Sequence, residues 1–209
     1  MTMLFYALVL CLASCSVDAR RRDYAGSIQP YTYTSWGSWG HEDWCPRGTY
    51  GYGFSLKVET YQGSGDDTSL NAIKLLCRKP CGGYPNSVTS RKGGWGRWSY
   101  TSHCPEYYFL HSAQARSESK QGSGDNTAAN NYNFRCQNFK KRKDHYSLSG
   151  GGSGWGSWTG RRDCPYASYI CGIKTQVERY QGSGDDTALN DAIFYCCYFI
   201  AEFQKSCEK

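Results

Sequence analysis

One stretch occurs three times in this chain, without an insertion or a deletion, and this restricts the fold more than any other feature. Each copy opens on Trp-Gly-x-Trp, at Trp36, Trp95 and Trp155. Six residues after the second tryptophan comes Cys45, Cys104 or Cys164. Seventeen further on, Gln62, Gln121 and Gln181 open Gln-Gly-Ser-Gly-Asp, and fifteen beyond those stand Cys77, Cys136 and Cys196. The joins vary, with 18 residues from Cys77 to Trp95 and 19 from Cys136 to Trp155. Loops tolerate such differences and packed elements do not, so the unit is structural. A period of 59 to 60 residues is long for a solenoid repeat and short for a self-sufficient core. Three units that share one core satisfy both conditions.

Within a unit the pattern is that of strands. Gly37, Gly40, Pro46, Gly48, Gly51 and Gly53 rule out a helix and suit short strands with tight turns. Phe54, Leu56 and Val58 alternate with polar residues, as do Ile173, Thr175 and Val177, which predicts a strand with one buried face. In copy two the inward residues are only Ala113, Ala115 and Ser117, so the core there is thin or filled by Tyr107, Tyr108 and Phe109. A second strand follows the Gln-Gly-Ser-Gly-Asp turn, through Ile73, Leu75 and Cys77, and through Tyr132, Phe134 and Cys136. In copy three two registers remain open: Ala192, Phe194 and Cys196 inward, or Ile193, Tyr195 and Cys197 through a bulge at Asp191. Each unit reads as a small antiparallel sheet whose first strand carries Trp-Gly-x-Trp. Lys79 to Arg91 and Asn138 to Gly154 read as connectors. Tyr24 to Ser35 reads as an irregular arm or an edge strand, and Tyr198 to Ile200 as a closing strand. Three such sheets bury their apolar faces together in an all-β prism with internal pseudo-threefold symmetry.

Residues 1–19 read as a signal peptide: Leu4 to Ala13 is mostly apolar and Ala19 is small. The remainder, 20–209, reads as one prism domain with repeats at about 31–83, 90–142 and 150–200. No later stretch is apolar enough to span a bilayer. Of twelve cysteines, ten lie beyond the leader, an even number that fits an oxidising compartment. The constant spacing predicts Cys45–Cys77, Cys104–Cys136 and Cys164–Cys196, with Cys197 as the alternative partner of Cys164. Cys81, Cys171, Cys207 and whichever of Cys196 and Cys197 is left would form two further bridges, in a pairing the sequence leaves open. The formal charge is +6. The excess sits in Arg20–Arg22, Arg91-Lys92 and Lys140–Lys143, which attracts acidic surfaces such as anionic glycans or serves as solvated loop. The absence of a recognition helix argues against nucleic acid, and the histidine and cysteine spacings argue against a metal or other cofactor.

These residues resemble a known family. Trp-Gly-x-Trp, a cysteine, Gly-Phe-x-Leu-Lys-Val-Glu, Gln-Gly-x-x-Asp-Asp-Thr-Ala-Leu-Asn and a closing cysteine are the pattern of the vitelline membrane outer layer protein 1 family. The chain carries it from about Tyr31 to the C-terminus, as Trp36 to Cys77 and Trp155 to Cys196 or Cys197, with a degenerate middle copy. There Asn126 replaces the second aspartate and Ala129-Asn130 stands for Leu-Asn. The resemblance implies a β-prism similar in fold to some lectins, secretion, and in birds a place in the outer egg envelope. It also implies an activity in which N-acetylchito-oligosaccharide units are transferred without lysozyme-like hydrolysis.

The candidate chemistry is repeated too. Glu59, Glu118 and Glu178 occur once per unit and could converge at one end of the prism as acid and nucleophile for glycosyl transfer. The bland alternative pairs them with Lys57, Arg116 and Lys174. Asp66, Asp125 and Asp185 read as turn formers or ligand contacts. Of the paired tryptophans, one of each pair is expected in the core, since a spacing of three puts them on opposite faces of a strand. Trp44 stands outside the repeat and is a candidate surface contact for a glycan. Three readings follow: a secreted, disulfide-bonded coat or egg-envelope protein that binds carbohydrate; a glycosyltransferase-like enzyme on N-acetylglucosamine oligomers; and a soluble defence lectin. The expected partners are glycans or coat proteins, with no nucleic acid and no membrane.

Overall fold

The computed structural model describes residues 23–60, 68–119, 128–179 and 188–200. The leader, the three Gln-Gly-Ser-Gly-Asp stretches with Asp66, Asp125 and Asp185, and Cys207 lie outside them. The described residues form strands joined by loops. The first part of the chain has β1 (Tyr24–Ile28), β2 (Ser38–Trp39), β3 (Asp43–Trp44), β4 (Tyr50–Val58), β5 (Leu70–Arg78) and β6 (Asn86–Val88). There follow β7 (Arg97–Trp98), β8 (Ser102–His103), β9 (Tyr108–Ser117), β10 (Ala129–Asn138) and β11 (His145–Leu148). The last are β12 (Ser157–Trp158), β13 (Arg162–Asp163), β14 (Ser168–Val177) and β15 (Leu189–Tyr198).

Three long hairpins, β4 with β5, β9 with β10 and β14 with β15, are the centres of three antiparallel sheets. The sheets are ordered β6-β5-β4-β7 with β8 also on β4, β11-β10-β9-β12 with β13 on β9, and β1-β15-β14-β2 with β3 on β14. We call them the first, second and third sheets. Their inner strands β4, β9 and β14 contact one another around the axis, and the whole is a three-lobed β-prism with pseudo-threefold symmetry.

The sheets do not coincide with the sequence repeats. Each Trp-Gly-x-Trp strand was expected to begin its own unit's sheet, but it pairs with the preceding unit's inner strand: β7 lies on β4, β12 on β9 and β2 on β14. The reason is the free edge of each inner strand, which leaves a row of unpaired backbone groups. The next unit's short strands cover it. For the third sheet, the next unit in the ring is the first, so β1, β2 and β3 from the beginning of the chain close onto β14 and β15 from its end. The arm at Tyr24 is thus an edge strand. Residues 199 and 200 do not form the closing strand expected of them, and the expected connectors contain β6 and β11.

The two bulges of each hairpin repeat as well. One places an extra residue at Tyr52, His111 and Cys171, and the other at Asn71, Asn130 and Asn190. They settle the register in the third sheet: Ala192, Phe194 and Cys196 point inward and are fully buried. Cys164 therefore bonds Cys196, beside Cys45–Cys77 and Cys104–Cys136, each pair with Cα atoms 5.8 Å apart. Each bridge closes 32 residues, which by loop entropy is worth about 3–4 kcal/mol. Cys197, on the opposite face, bonds Cys171. The same pair of positions holds Arg78 over Tyr52 at 4.5 Å in the first sheet and the buried His111 and Gln137 in the second. Cys81 is also disulfide-bonded. Every other described cysteine is paired within the described residues, so its partner lies outside them.

At the axis, Gly51 meets Leu110 and Ile170, its equivalents in the other units. A Cβ on Gly51 would stand 3.1 Å from the Ile170 carbonyl oxygen, so glycine gives the two larger chains room. Next to them Tyr50, Phe109 and Tyr169 are almost fully buried and meet pairwise edge to face, with centroids 5.8, 6.2 and 5.9 Å apart. Phe199 lies on this triad, stacked on Tyr50 at 4.7 Å. Tyr50 holds it there: its hydroxyl donates to the Tyr198 carbonyl at 2.9 Å and accepts the Ile200 N–H at 3.0 Å. Burial pushes the Tyr50 phenol up to about 12, so it remains a donor at any physiological pH. One end of the prism is therefore closed by aromatic rings. Beside the small Ala113 and Ala115 of the second sheet, its own Tyr132 and Phe134 pack with Phe54 of the first sheet, Phe54 and Phe134 at 4.5 Å. Phe109 belongs to the closed end instead, Tyr107 is exposed, and Tyr108 packs only partly on the core.

Candidate functional site

The opposite end, where each hairpin turns, is built from polar residues. Glu59, Glu118 and Glu178 follow the last residues of β4, β9 and β14, and their N–H groups donate to the carbonyls of Ser69, Ala128 and Ala188. The buried Glu59 carboxylate accepts the Thr68 hydroxyl at 2.7 Å and the Thr68 N–H at 3.3 Å. Thr68 Oγ1 in turn accepts Asn71 Nδ2 at 2.7 Å, and Asn71 Oδ1 accepts the Trp95 N–H at 3.2 Å. The bulge asparagine does the same in the third sheet, where Asn190 Oδ1 accepts the Trp36 N–H at 3.2 Å. A glutamate, a threonine and an asparagine thus tie the first hairpin to the next unit's tryptophan loop, and in the third hairpin the asparagine makes the same bond.

The glycine of Trp-Gly-x-Trp completes this tie. Gly37, Gly96 and Gly156 have φ of +81°, +79° and +72°, a left-handed conformation that other residues adopt at a cost. A Cβ there would overlap the backbone next to Glu178, Glu59 and Glu118 respectively. The side chain two residues before each glutamate then secures the loop. Lys57 donates to the Gly93 and Gly94 carbonyls at 3.0 and 2.8 Å, Arg116 to Gly156 at 3.1 Å, and Gln176 to Ser35 at 2.7 Å. Lys57 and Arg116 thus bond to loop carbonyls, and Lys174 lies over Trp39. The asparagines, Thr68 and Gln176 escaped the sequence reading, which gave Lys57 and Arg116 to the glutamates and not to the loop. Their signal was present, since Asn71, Asn130 and Asn190 each stand nine residues after the repeated glutamine.

The tryptophans correct an expectation. None of Trp36, Trp39, Trp95, Trp98, Trp155 and Trp158 is in the core, and Trp95 is 50% exposed. Alternation fails here because the motif is not a continuous strand: a left-handed glycine separates the two rings, and only two residues pair with the sheet edge. In each sheet a cation lies over the second ring, Lys74 over Trp98 at 4.1 Å, Arg116 over Trp158 at 5.8 Å and Lys174 over Trp39 at 5.9 Å.

Glu178 lines a cleft of about 370 Å³ between the first and third sheets, with Thr68, Asn71, Arg91, Lys92, Trp95 and Arg179. Glu59 reaches its edge through Thr68, and Glu118 stands at the equivalent place on the second sheet. Trp44 is half-buried, stacked on Tyr195 at 4.4 Å, with its indole N–H donating to Glu42 at 3.3 Å. It lines a groove of about 710 Å³ with Asp23, Tyr24 and Arg47. Asp191, next to the bulge, accepts Gln29 Nε2 at 2.5 Å and the Ala192 N–H at 2.7 Å. Burial pushes its carboxyl up to about 6. Among the described residues no group of three or more His, Cys, Asp or Glu side chains could hold a metal ion.

Comparison with known proteins accounts for the repeated motif. The family model of vitelline membrane outer layer protein I matches residues 27–199. The human vitelline membrane outer layer protein 1 homolog is 41% identical over 187 residues, covering 88% of this chain and 89% of that protein. Its mouse counterpart is 39% identical over 195 residues, covering 90% and 92%. Among solved structures, artocarpin in complex with mannotriose superposes with a TM-score of 0.50 at 12% identity, over 82% of this chain and 97% of that one. At such identity the likeness concerns the fold. On the family model and the two relatives, the chain belongs to the vitelline membrane outer layer protein I family.

Proposed function

We propose that this is a secreted, disulfide-bonded protein of an extracellular coat that binds glycans through its exposed tryptophans. The observation that carries the reading is the placement of all six repeat tryptophans outside the core. Trp95, Trp155 and Trp158 are exposed and the other three half-buried, and a large ring left in water forgoes burial that would stabilise the fold by roughly 2 kcal/mol. Trp95 lines a cleft with the amide of Asn71, the carboxylate of Glu178 and the cation of Lys92, the combination that takes the apolar face of a pyranose on a ring and its hydroxyls on polar neighbours. The disulfides fit an oxidising compartment, no helix among the described residues is long and apolar enough to cross a membrane, and the relatives are named for the outer layer of the vitelline membrane.

Titrating the protein with a neutral panel that includes chito-oligosaccharides, while following tryptophan fluorescence, tests the reading. A saturable change that weakens in Trp98→Ala and Trp158→Ala is expected; a flat response across the panel from correctly folded protein contradicts it. The position of Glu178 on a cleft wall keeps a second, enzymatic reading. New chito-oligosaccharide lengths by mass spectrometry, abolished in Glu178→Gln, would establish transfer in addition to binding.

A further inference from the structure

The three tryptophan loops sit in three equivalent seams, each between two sheets. The loop of the first seam bonds the first sheet through Gly93 N–H to Asn71 O at 2.7 Å and the third sheet through Thr175 Oγ1 to Arg91 O at 2.7 Å. The second seam repeats this with Ser153 N–H to Asn130 O at 2.8 Å, and meets the first sheet where Ser153 bonds Ser69. The third brings the loop before Trp36 to the second sheet, where Tyr33 N–H donates to Ser117. The backbone is thus shared, and the side chains can be compared position by position.

They differ in charge. Arg91 and Lys92 of the first seam are replaced by Gly151 and Gly152 in the second and by Thr32 and Tyr33 in the third. The residue after the seam's glutamate, on the facing sheet, is Arg179 in the first seam but Thr60 and Ser119 in the others. All three cations line one cleft with a half-exposed Trp95 and a single described carboxylate, Glu178. Lys57 lies close enough that, after burial, the charge of Lys92 is the next cause lowering its pKa, so like charges are held together against their repulsion. The other two seams close without a cation at these positions, and Arg91 gives one N–H of its guanidinium to the Ser38 carbonyl at 3.3 Å.

We infer that the seam between the first and third sheets is a subsite for an acidic sugar, a glycan residue bearing carboxylate or sulfate, stacked on Trp95 and held by Arg91, Lys92 and Arg179. The inference rests on the glycan-binding reading and gives it a ligand class. Arginine offers a planar fork matched to carboxylate or sulfate oxygens and lysine a point charge. Glu178 stands on the same wall, where it can accept a hydroxyl of the same sugar.

The test uses the full mature chain and four probes: a sulfated heparin tetrasaccharide, sialyllactose, neutral chitotetraose and polyglutamate. At moderate salt one acidic sugar is expected to bind at least about tenfold tighter than chitotetraose, the order expected of one charge-assisted contact. The sulfated and sialylated arms report which anion is preferred. The double variant Lys92→Ala with Arg179→Ser, both exposed positions, should erase that preference, bringing the acidic sugar down to the affinity of chitotetraose measured on the same variant. Trp95→Ala should weaken the acidic sugar at any salt. Equal affinity for acidic and neutral sugars, a preference that survives the double variant, or polyglutamate competing as well as the acidic sugar would each overturn the inference. If chitotetraose still binds in those cases, the glycan reading stands and only the acidic subsite fails; if no sugar binds at all, both fail.

Discussion

The seam at residues 91–95 and the seam at residues 151–155 have the same backbone and different surfaces. In both, a buried asparagine carbonyl holds the loop and a left-handed glycine lets the tryptophan turn outward. Yet one presents Arg91, Lys92 and, across it, Arg179, while the other presents two glycines and Thr60. What the seams share is the architecture, and what they do not share is available for function. A repeat protein offers this separation internally, because three copies under the same structural demands serve as one another's controls.

The largest effect should come from a shared feature far from the seams. Phe109→Ala opens the aromatic triad at the closed end and should cost about 3–5 kcal/mol in chemical denaturation, with sugar affinity unchanged while the protein stays folded. A loss of affinity without unfolding would break the division between the two regions. Next, Asn71→Ala, Asn130→Ala and Asn190→Ala remove fully buried side chains at equivalent bulges, each costing about 1–3 kcal/mol. Near-equal costs sharpen the comparison, and a cost confined to one seam would show that the ties are not equivalent.

The third seam offers a pH test of similar or smaller size. Asp191 has a folded-state pKa raised to about 6, chiefly by burial, so the folded protein favours the protonated acid. The stabilisation is present below the unfolded value near 3.8 and is lost as pH rises through about 6, in all about 1–3 kcal/mol. Asp191→Asn, the residue found at the equivalent Asn131, should flatten that decline and leave the protein more stable at pH 7. A decline between pH 4 and 6 that is identical in the variant would remove Asp191 as its source. The smallest effect is at the turn before each inner strand, where Tyr107 and Ala167 have φ of +66° and +59° and the first unit has Gly48 at +75°. Ala167→Gly should raise stability by roughly 0.5–1 kcal/mol as left-handed strain is relieved.

Much of the fold was legible because the repeat is strict. Alternation in Phe54, Leu56, Ile73 and Leu75 revealed the hairpins, and three hairpins with one apolar face each need a common core. The exchange of Trp-Gly-x-Trp into the neighbouring sheet was not legible, since a two-residue strand carries no periodicity and its partner is chosen by a free edge in three dimensions. The register of Cys196 against Cys197 was decided by a bulge at Asn190 that leaves no distinct mark in one copy, though its recurrence at Asn71 and Asn130 is a mark across three. The tryptophans were misplaced for a related reason: spacing predicts facing only where the backbone stays extended, and Gly37, Gly96 and Gly156 interrupt it. At the candidate site the glutamates were found as repeated residues, but their tie through threonine and asparagine depends on contacts across a turn. The charge of the first seam was visible as Arg91-Lys92, whereas its third member, Arg179, joins only when the third sheet packs beside the first.

The central claim is that the tryptophans are outward-facing sugar platforms. The most direct measurement is the set of indole N–H signals in a nitrogen–proton correlation spectrum of tryptophan-labelled protein, seven in all, assigned by single Trp→Phe variants and followed through a glycan titration. The account predicts saturable shifts at repeat tryptophans, with Trp95 responding first and most to the acidic sugar. Indole signals that stay in place across neutral and acidic sugars alike would contradict it.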